Sequence, residues 1–130
     1  MAIRVAAAVI ERGTRVLVTR RLAGTHLAGL WEFPGGKCED HEPIEACLVR
    51  ELREELAVDV TPRRTMLVTT HAYPDAHPEK TVELHFIACE MAGEPVPQQG
   101  QEMQWIERAA LDTLDFPAAD AELISQLRRR

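Results

Sequence analysis

The chain has 130 residues, 45% of them apolar and 28% charged, with a net charge of −6. These values predict one soluble globular domain over residues 1–130, and the acidic balance without a basic stripe argues against a nucleic-acid duplex as partner. No run of about 18 apolar residues could cross a membrane, and Met1 to Ile10 lacks a secretory signal, so the cytoplasm is the expected compartment. Ala2 to Glu11 reads as a strand, closed by the turn signal Arg12-Gly13, and Arg15 to Arg20 resumes strand character, so the two form a hairpin. Arg20-Arg21 lead into a loop of small residues reaching Leu30. Trp31-Glu32-Phe33 is a short strand stopped by Pro34 and the pair Gly35-Gly36.

A helix follows. Pro43 suits a first helical turn, where its missing N–H is harmless, and nothing breaks the run before Leu56. At about 100° per residue, Leu48, Val49, Leu52 and Leu56 make a core-facing stripe. Glu51, Glu54 and Glu55, spaced i, i+3, i+4, converge beside that stripe, with Glu55 closest to the leucines and Arg50 and Arg53 outward. Three carboxylates beside a core repel one another and lose hydration, which raises their pKa values unless a cation is present. Oxygen donors with no soft ligand suit Mg²⁺ or Mn²⁺. The competing reading is an amphipathic helix with a solvated charged face.

Beyond the helix, Val58-Asp59-Val60, Arg64 to Tyr73 and Thr81 to Cys89 read as strands, with Pro74 to Pro78 a loop. Ala92 to Gln101 is a loop by composition, and Met103 to Ile106 a last strand. Glu107 to Leu114 is short and helical. After Asp115-Phe116-Pro117, Ala118 to Arg129 is a closing helix with Leu123, Ile124 and Leu127 inward. Cys38, Cys47 and Cys89 are an odd number at no metal-like spacing, which argues against a disulfide framework; Cys47 and Cys89 are expected to pack as small apolar groups. None of the five histidines has ligand spacing, and Arg128-Arg129-Arg130 suits the negative end of a helix.

Gly36, Glu42, Arg50, Glu51, Leu52, Glu54, Glu55 and Val58 resemble a Nudix box, G-x5-E-x7-R-E-U-x-E-E-x-G-U with U apolar, spanning residues 36–58. The one departure is Ala57 for the second glycine. Alanine tolerates a left-handed cap less well, by about 1 kcal/mol, so the helix is expected to run on or to close without that cap. The resemblance implies an α/β/α sandwich with a mixed sheet between helices, and Mg²⁺-dependent (or Mn²⁺-dependent) hydrolysis of a nucleoside diphosphate linked to another moiety. It implies Glu51, Glu54, Glu55 and the Gly36 carbonyl as metal ligands, Glu51 as the group taking the water's proton, and Arg50 as the arginine that orients a glutamate such as Glu54. Glu42 is expected to pin the loop start to the helix.

The whole chain is similar to MutT-like nucleotide-pool sanitisers, through Thr19-Arg20-Arg21, Trp31 to Lys37, Tyr73-Pro74-Asp75 and Asp115 to Asp120. Those proteins cut (deoxy)nucleoside triphosphates, such as 8-oxo-dGTP, to monophosphate and pyrophosphate. By that resemblance Arg21, Phe33, Lys37 and Asp120 meet the small-molecule nucleotide; the alternative for Arg21 is a solvated strand-end charge. MutT-like proteins carry a metal-binding glutamate six residues before the strand tryptophan. Counting back from Trp105 gives Gln99, so Glu102 is expected to replace it, against the alternative of an exposed loop acid. At Asp120 the 8-oxoguanine enzymes carry Asn, which both donates and accepts, whereas an ionised Asp only accepts. Similar enzymes acting on CTP and dCTP carry Asp. Asp120 as the N-cap of the last helix is the competing reading. A non-catalytic Nudix-fold sensor is the rival from another class, but such modules typically lose box carboxylates that this chain keeps. Oligomeric state stays open.

Overall fold

The computed structural model describes residues 2–25, 27–73 and 80–130. His26 and the loop carrying Pro74, Asp75 and His77 lie outside the described residues.

Strand β1 (Ala2–Arg12) is the spine of the sheet. Its residues 6–10 are small or β-branched and buried on both faces, which is why the segment shows no polar alternation. It turns through Gly13, at φ +61°, into antiparallel β2 (Arg15–Arg20). β2 in turn pairs with β3 (Trp31–Glu32) and β7 (Met103–Glu107). Earlier in its course β1 lies antiparallel to β4 (Gly35–Lys37) and parallel to β6 (Lys80–Ala92), which pairs antiparallel with β5 (Asp59–Tyr73) at the sheet edge. Among the described residues this makes one mixed sheet of seven strands, with main order β3-β2-β1-β6-β5.

Helix α1 (Ile44–Leu56) covers one face, packing Cys47, Leu48, Leu52 and Leu56 on Ala6, Ala8, Ile10 and Leu17. Each fully buried leucine contributes about 1.5–3 kcal/mol. Helix α2 (Ala121–Arg128) and the 3₁₀ segment Arg108–Thr113 cover the other, packing Leu123, Leu127 and Leu111 on Val9, Val16, Val18, Phe33 and Phe86. The α/β sandwich is therefore as expected. Among the described residues no helix is long and apolar enough to cross a membrane.

Several local expectations are corrected. The glycine pair does not merely stop a strand but forms β4, because Gly35 lacks the Cβ that would sit 1.9 Å from the Ala6 carbonyl oxygen. The two strands expected between Val58 and Tyr73 are one, with register breaks between Pro62 and Leu67 absorbing the proline. The last helix begins as a 3₁₀ turn, Ala118–Asp120. Ala57 closes α1 in the left-handed conformation after all (φ 54°, ψ 39°), its N–H donating to the Arg53 carbonyl. Cys38 and Cys47 form a disulfide, Cα–Cα 5.2 Å, so the odd number of cysteines did not exclude a bond between two of them, and Cys47 is not a free packing group. The reason is tertiary: β4 returns the chain under the first turn of α1. Cys89 remains free and packs against the core under α1.

Candidate active site

The chain from β4 into α1 builds the acidic end of a cavity of about 490 Å³. Gly36 lies directly under Glu51: a Cβ there would stand 2.3 Å from the carboxyl carbon. Only glycine lets that carboxylate rest on the backbone, beside the Gly36 carbonyl. Glu55, one helical turn on, receives the Gly35 N–H. Burial pushes the Glu55 carboxyl up to about 8, with the charges of Glu32 and Glu51 adding to the effect. Burial also raises Glu51, against the pull of Arg50, and raises Glu32, against the pull of Arg21.

Arg50 is not outward as expected; it folds back over the loop. Its Nε and Nη2 each donate to Glu42 at 2.9 Å, Nη1 donates to Glu51 at 3.3 Å and to Glu54 at 3.4 Å, and Nη2 donates to the Lys37 carbonyl at 3.3 Å. Glu42 also accepts the Glu39 N–H at 3.0 Å, so it pins the loop start to the helix. These bonds hold the Glu42 carboxyl down at about 2. Glu54 stays on the Arg50 side, more than half exposed, and does not line the cavity.

The far end of the cavity is apolar and aromatic. Phe33 stacks on Phe116 at 5.5 Å and meets Phe86 edge-on at 5.9 Å, with Leu84 and Pro117 alongside. Asp120 faces this space. It occupies the N-cap position of α2 but makes no cap bond, which removes the capping reading. Buried, with the Glu32 charge nearby, its carboxyl is pushed up to about 7. Arg21 lines the cavity and donates from Nη1 to Glu32 at 3.0 Å, so it is not a solvated strand-end charge. Lys37, exposed, also lines the cavity.

Glu102 is not brought to this cluster. Its backbone carbonyl accepts the Arg20 N–H, and its side chain follows, taking Arg20 Nη1 at 3.4 Å. The neighbours of Glu55 are instead Gln101, whose Nε2 donates to the Glu55 carbonyl at 3.2 Å, and Gln99, on a small cleft shared with Glu55, Glu32 and Arg21. Sequence reasoning missed Glu32 as a site residue. The signal was there: an acid flanked by two large aromatics in a strand, Trp31 and Phe33, has its own environment to explain.

Glu51, Glu55 and the Gly36 carbonyl offer oxygen only, in a place where burial disfavours negative charge, and so fit a hard divalent cation. Among the described residues one trio of acidic or sulfur groups has its ligand atoms within 4.8 Å of one another: Cys38, Glu42 and Cys47. Its sulfurs are bonded to each other and its carboxylate is held by Arg50. It is not the cation site.

The model of the NUDIX domain family matches residues 5–126. Over 122 residues the chain is 37% identical to the 8-oxo-dGTP diphosphatase of Escherichia coli K12, covering 92% of this chain and 90% of that one. The CTP pyrophosphohydrolase of the same organism is 52% identical over 59 residues, 45% of this chain and 44% of its own length. The solved structure of the E. coli ORF135 protein matches with a TM-score of 0.83 at 31% identity, covering 95% of this chain and 86% of that chain. The chain belongs to the Nudix family. Within that family it is a pyrophosphohydrolase of the MutT-like kind.

Proposed function

We propose that this chain acts as a single Nudix domain in the cytoplasm, hydrolysing (deoxy)nucleoside triphosphates to monophosphate and pyrophosphate with Mg²⁺ or Mn²⁺, and that an oxidised purine such as that of 8-oxo-dGTP is its base. The observation that carries this reading is one cavity with Glu51 and Glu55 at one end and Asp120 among aromatic rings at the other. A phosphate chain suits the first end and a base the second.

Glu51, Glu55 and the Gly36 carbonyl are the residues to hold the cation, with Glu54 reaching it only by turning from Arg50 and Glu102 only by leaving Arg20. When bound, the cation would neutralise phosphate oxygens and favour attack by water. Glu51 accepts the water's proton as the oxygen bonds to the β-phosphorus. The bond from that phosphorus to the α,β-bridging oxygen breaks, and the bridging oxygen leaves on the monophosphate. Lys37 and Arg21 supply positive charge along the phosphates and sugar, and Phe33 walls the base. Asp120, titrating near neutrality, presents a protonated carboxyl that donates to O6 and accepts from N7–H, as an amide would. Ionised, it would accept from the amine of cytosine. That, with the likeness to a CTP pyrophosphohydrolase, supports CTP or dCTP as the second reading.

The test is pyrophosphate release with Mg²⁺ from 8-oxo-dGTP, dGTP, 5-hydroxy-dCTP, dCTP and CTP, with ADP-ribose as control. The expected result is a kcat/KM for 8-oxo-dGTP at least about a hundredfold above dGTP. A preference for the cytosine nucleotides selects the second reading, and no release from any triphosphate refutes both.

A further inference from the structure

The Cys38–Cys47 pair takes no part in the chemistry above, yet it sits under the cation end of the cavity. Cys38 is the first residue after β4, its N–H held by the Arg4 carbonyl at 2.9 Å. Cys47 lies in the first turn of α1 and faces the core. Their bond closes a ring around residues 39–46, the loop that carries Glu42. The sulfur of Cys47 lies 3.7 Å from the carbonyl oxygen of Gly36.

We propose that Cys38 and Cys47 form a reversible redox modification site, whose oxidised state raises the affinity of the neighbouring Gly36–Glu51 site for a divalent cation. The inference rests on the reading of the Gly36 carbonyl as a ligand. Three observations carry it. The loop is tied without the disulfide, by the Arg50–Glu42 pair, by Arg4 donating to the Glu39 carbonyl and by the buried leucines of α1, so opening the bond leaves the fold standing. The pair is asymmetric: Cys47 is fully enclosed while Cys38 keeps 8% exposure beside an exposed loop, which gives a small thiol reagent one point of entry. Finally, the two states differ at one atom that matters. A disulfide sulfur has no hydrogen, so the Gly36 carbonyl stays free of Cys47. A reduced Cys47 carries an S–H with that carbonyl as its nearby acceptor, and a carbonyl engaged by a donor is a poorer ligand.

The oxidant is a small-molecule disulfide. Cys38 attacks it, releasing one small thiol and forming a mixed disulfide; Cys47 then displaces the second small thiol. Two electrons and two protons pass from the protein pair to the reagent. In a reducing compartment the resting pair is dithiol. Oxidising conditions, which also generate oxidised nucleotides, then tighten the cation site.

The experiment equilibrates the full chain with glutathione and its disulfide over a series of ratios, traps free thiols by alkylation, and counts them by intact mass. Cys89→Ser removes the third thiol from the count. Mn²⁺ binding to the fully oxidised and fully reduced forms is then read by electron paramagnetic resonance, with circular dichroism to follow the fold. The expected result is a reversible two-thiol transition without loss of fold, and Mn²⁺ affinity about 5- to 10-fold higher in the oxidised form. Cys38→Ser should bind Mn²⁺ like the reduced form at every ratio. A pair that never oxidises or never opens overturns the proposal, as does equal Mn²⁺ affinity in the two forms. Equal affinity with pyrophosphate release intact refutes this inference alone; Mn²⁺ binding to neither form, with no release, refutes the functional reading along with it.

Discussion

Two groups of carboxylates that meet at Glu51 are treated in opposite ways. Around Arg50, Glu42, Glu51 and Glu54 share one guanidinium that reaches all three, and Glu42 is held at about 2. Around the cavity, the charge of Glu32 acts on both Glu55 and Asp120 while Arg21 answers Glu32, and with burial Glu55 and Asp120 rise to about 8 and about 7. The first group is compensated and serves as scaffold. The second is left in want of positive charge, which is what a site for a cation and a polyanion requires. Glu51 belongs to both: Arg50 grips one oxygen, and its carboxylate still lies on Gly36 at the cavity.

The sharpest way to break that contrast is at the shared residue. Glu51→Gln keeps the shape but removes the base and one ligand charge, and kcat should fall by about 10²–10⁴-fold with circular dichroism unchanged. Near-normal turnover would refute the assignment of Glu51. The scaffold side should give less. Arg50→Lys keeps a charge but cannot bond Glu42 twice while reaching Glu51 and Glu54, so kcat should drop roughly 10–100-fold with a small change in KM. A change in KM alone would show that Arg50 acts on binding.

The smallest effect is expected at the base end. Folded Asp120 keeps its proton to about pH 7, while in the unfolded chain it loses it near 3.8, so the folded state binds more protons in between. Its contribution to stability therefore falls as pH rises through that window. Asp120→Asn should remove that slope, raising Tm relative to the parent by roughly 5 °C at pH 8 and by little at pH 4. The same variant should shift the ratio of 8-oxo-dGTP to cytosine nucleotide turnover. An unchanged ratio would leave Asp120 as a buried acid with no role in base choice.

The helix and its leucine stripe were legible in the sequence because both follow from local periodicity. The box residues were legible for the same reason, since they lie within one loop and one helix. What was not legible depends on contacts between segments far apart in the chain. The Cys38–Cys47 bond needs β4, which exists only because Gly35 can touch β1. The inward turn of Arg50 needs Glu42 across the loop, and the wheel alone put it outside. Glu102 was expected at the carboxylates by counting from Trp105, but its backbone and side-chain bonds to Arg20 hold it elsewhere. Glu32 acquires its role only when β3 is laid beside α1 and Asp120.

The long outer strand β5 bears on handling as well as on fold. Among the described residues nothing pairs with its far side, and a bare edge invites a second molecule to add a strand. The first half is guarded by Pro62, by the charges of Arg63 and Arg64, and by the breaks in register. Beyond Leu67 those guards are missing, and Val68 stands 47% exposed. Self-association of concentrated protein should begin there, and a lysine at position 68 is the first substitution to make for a sample that will not stay clear.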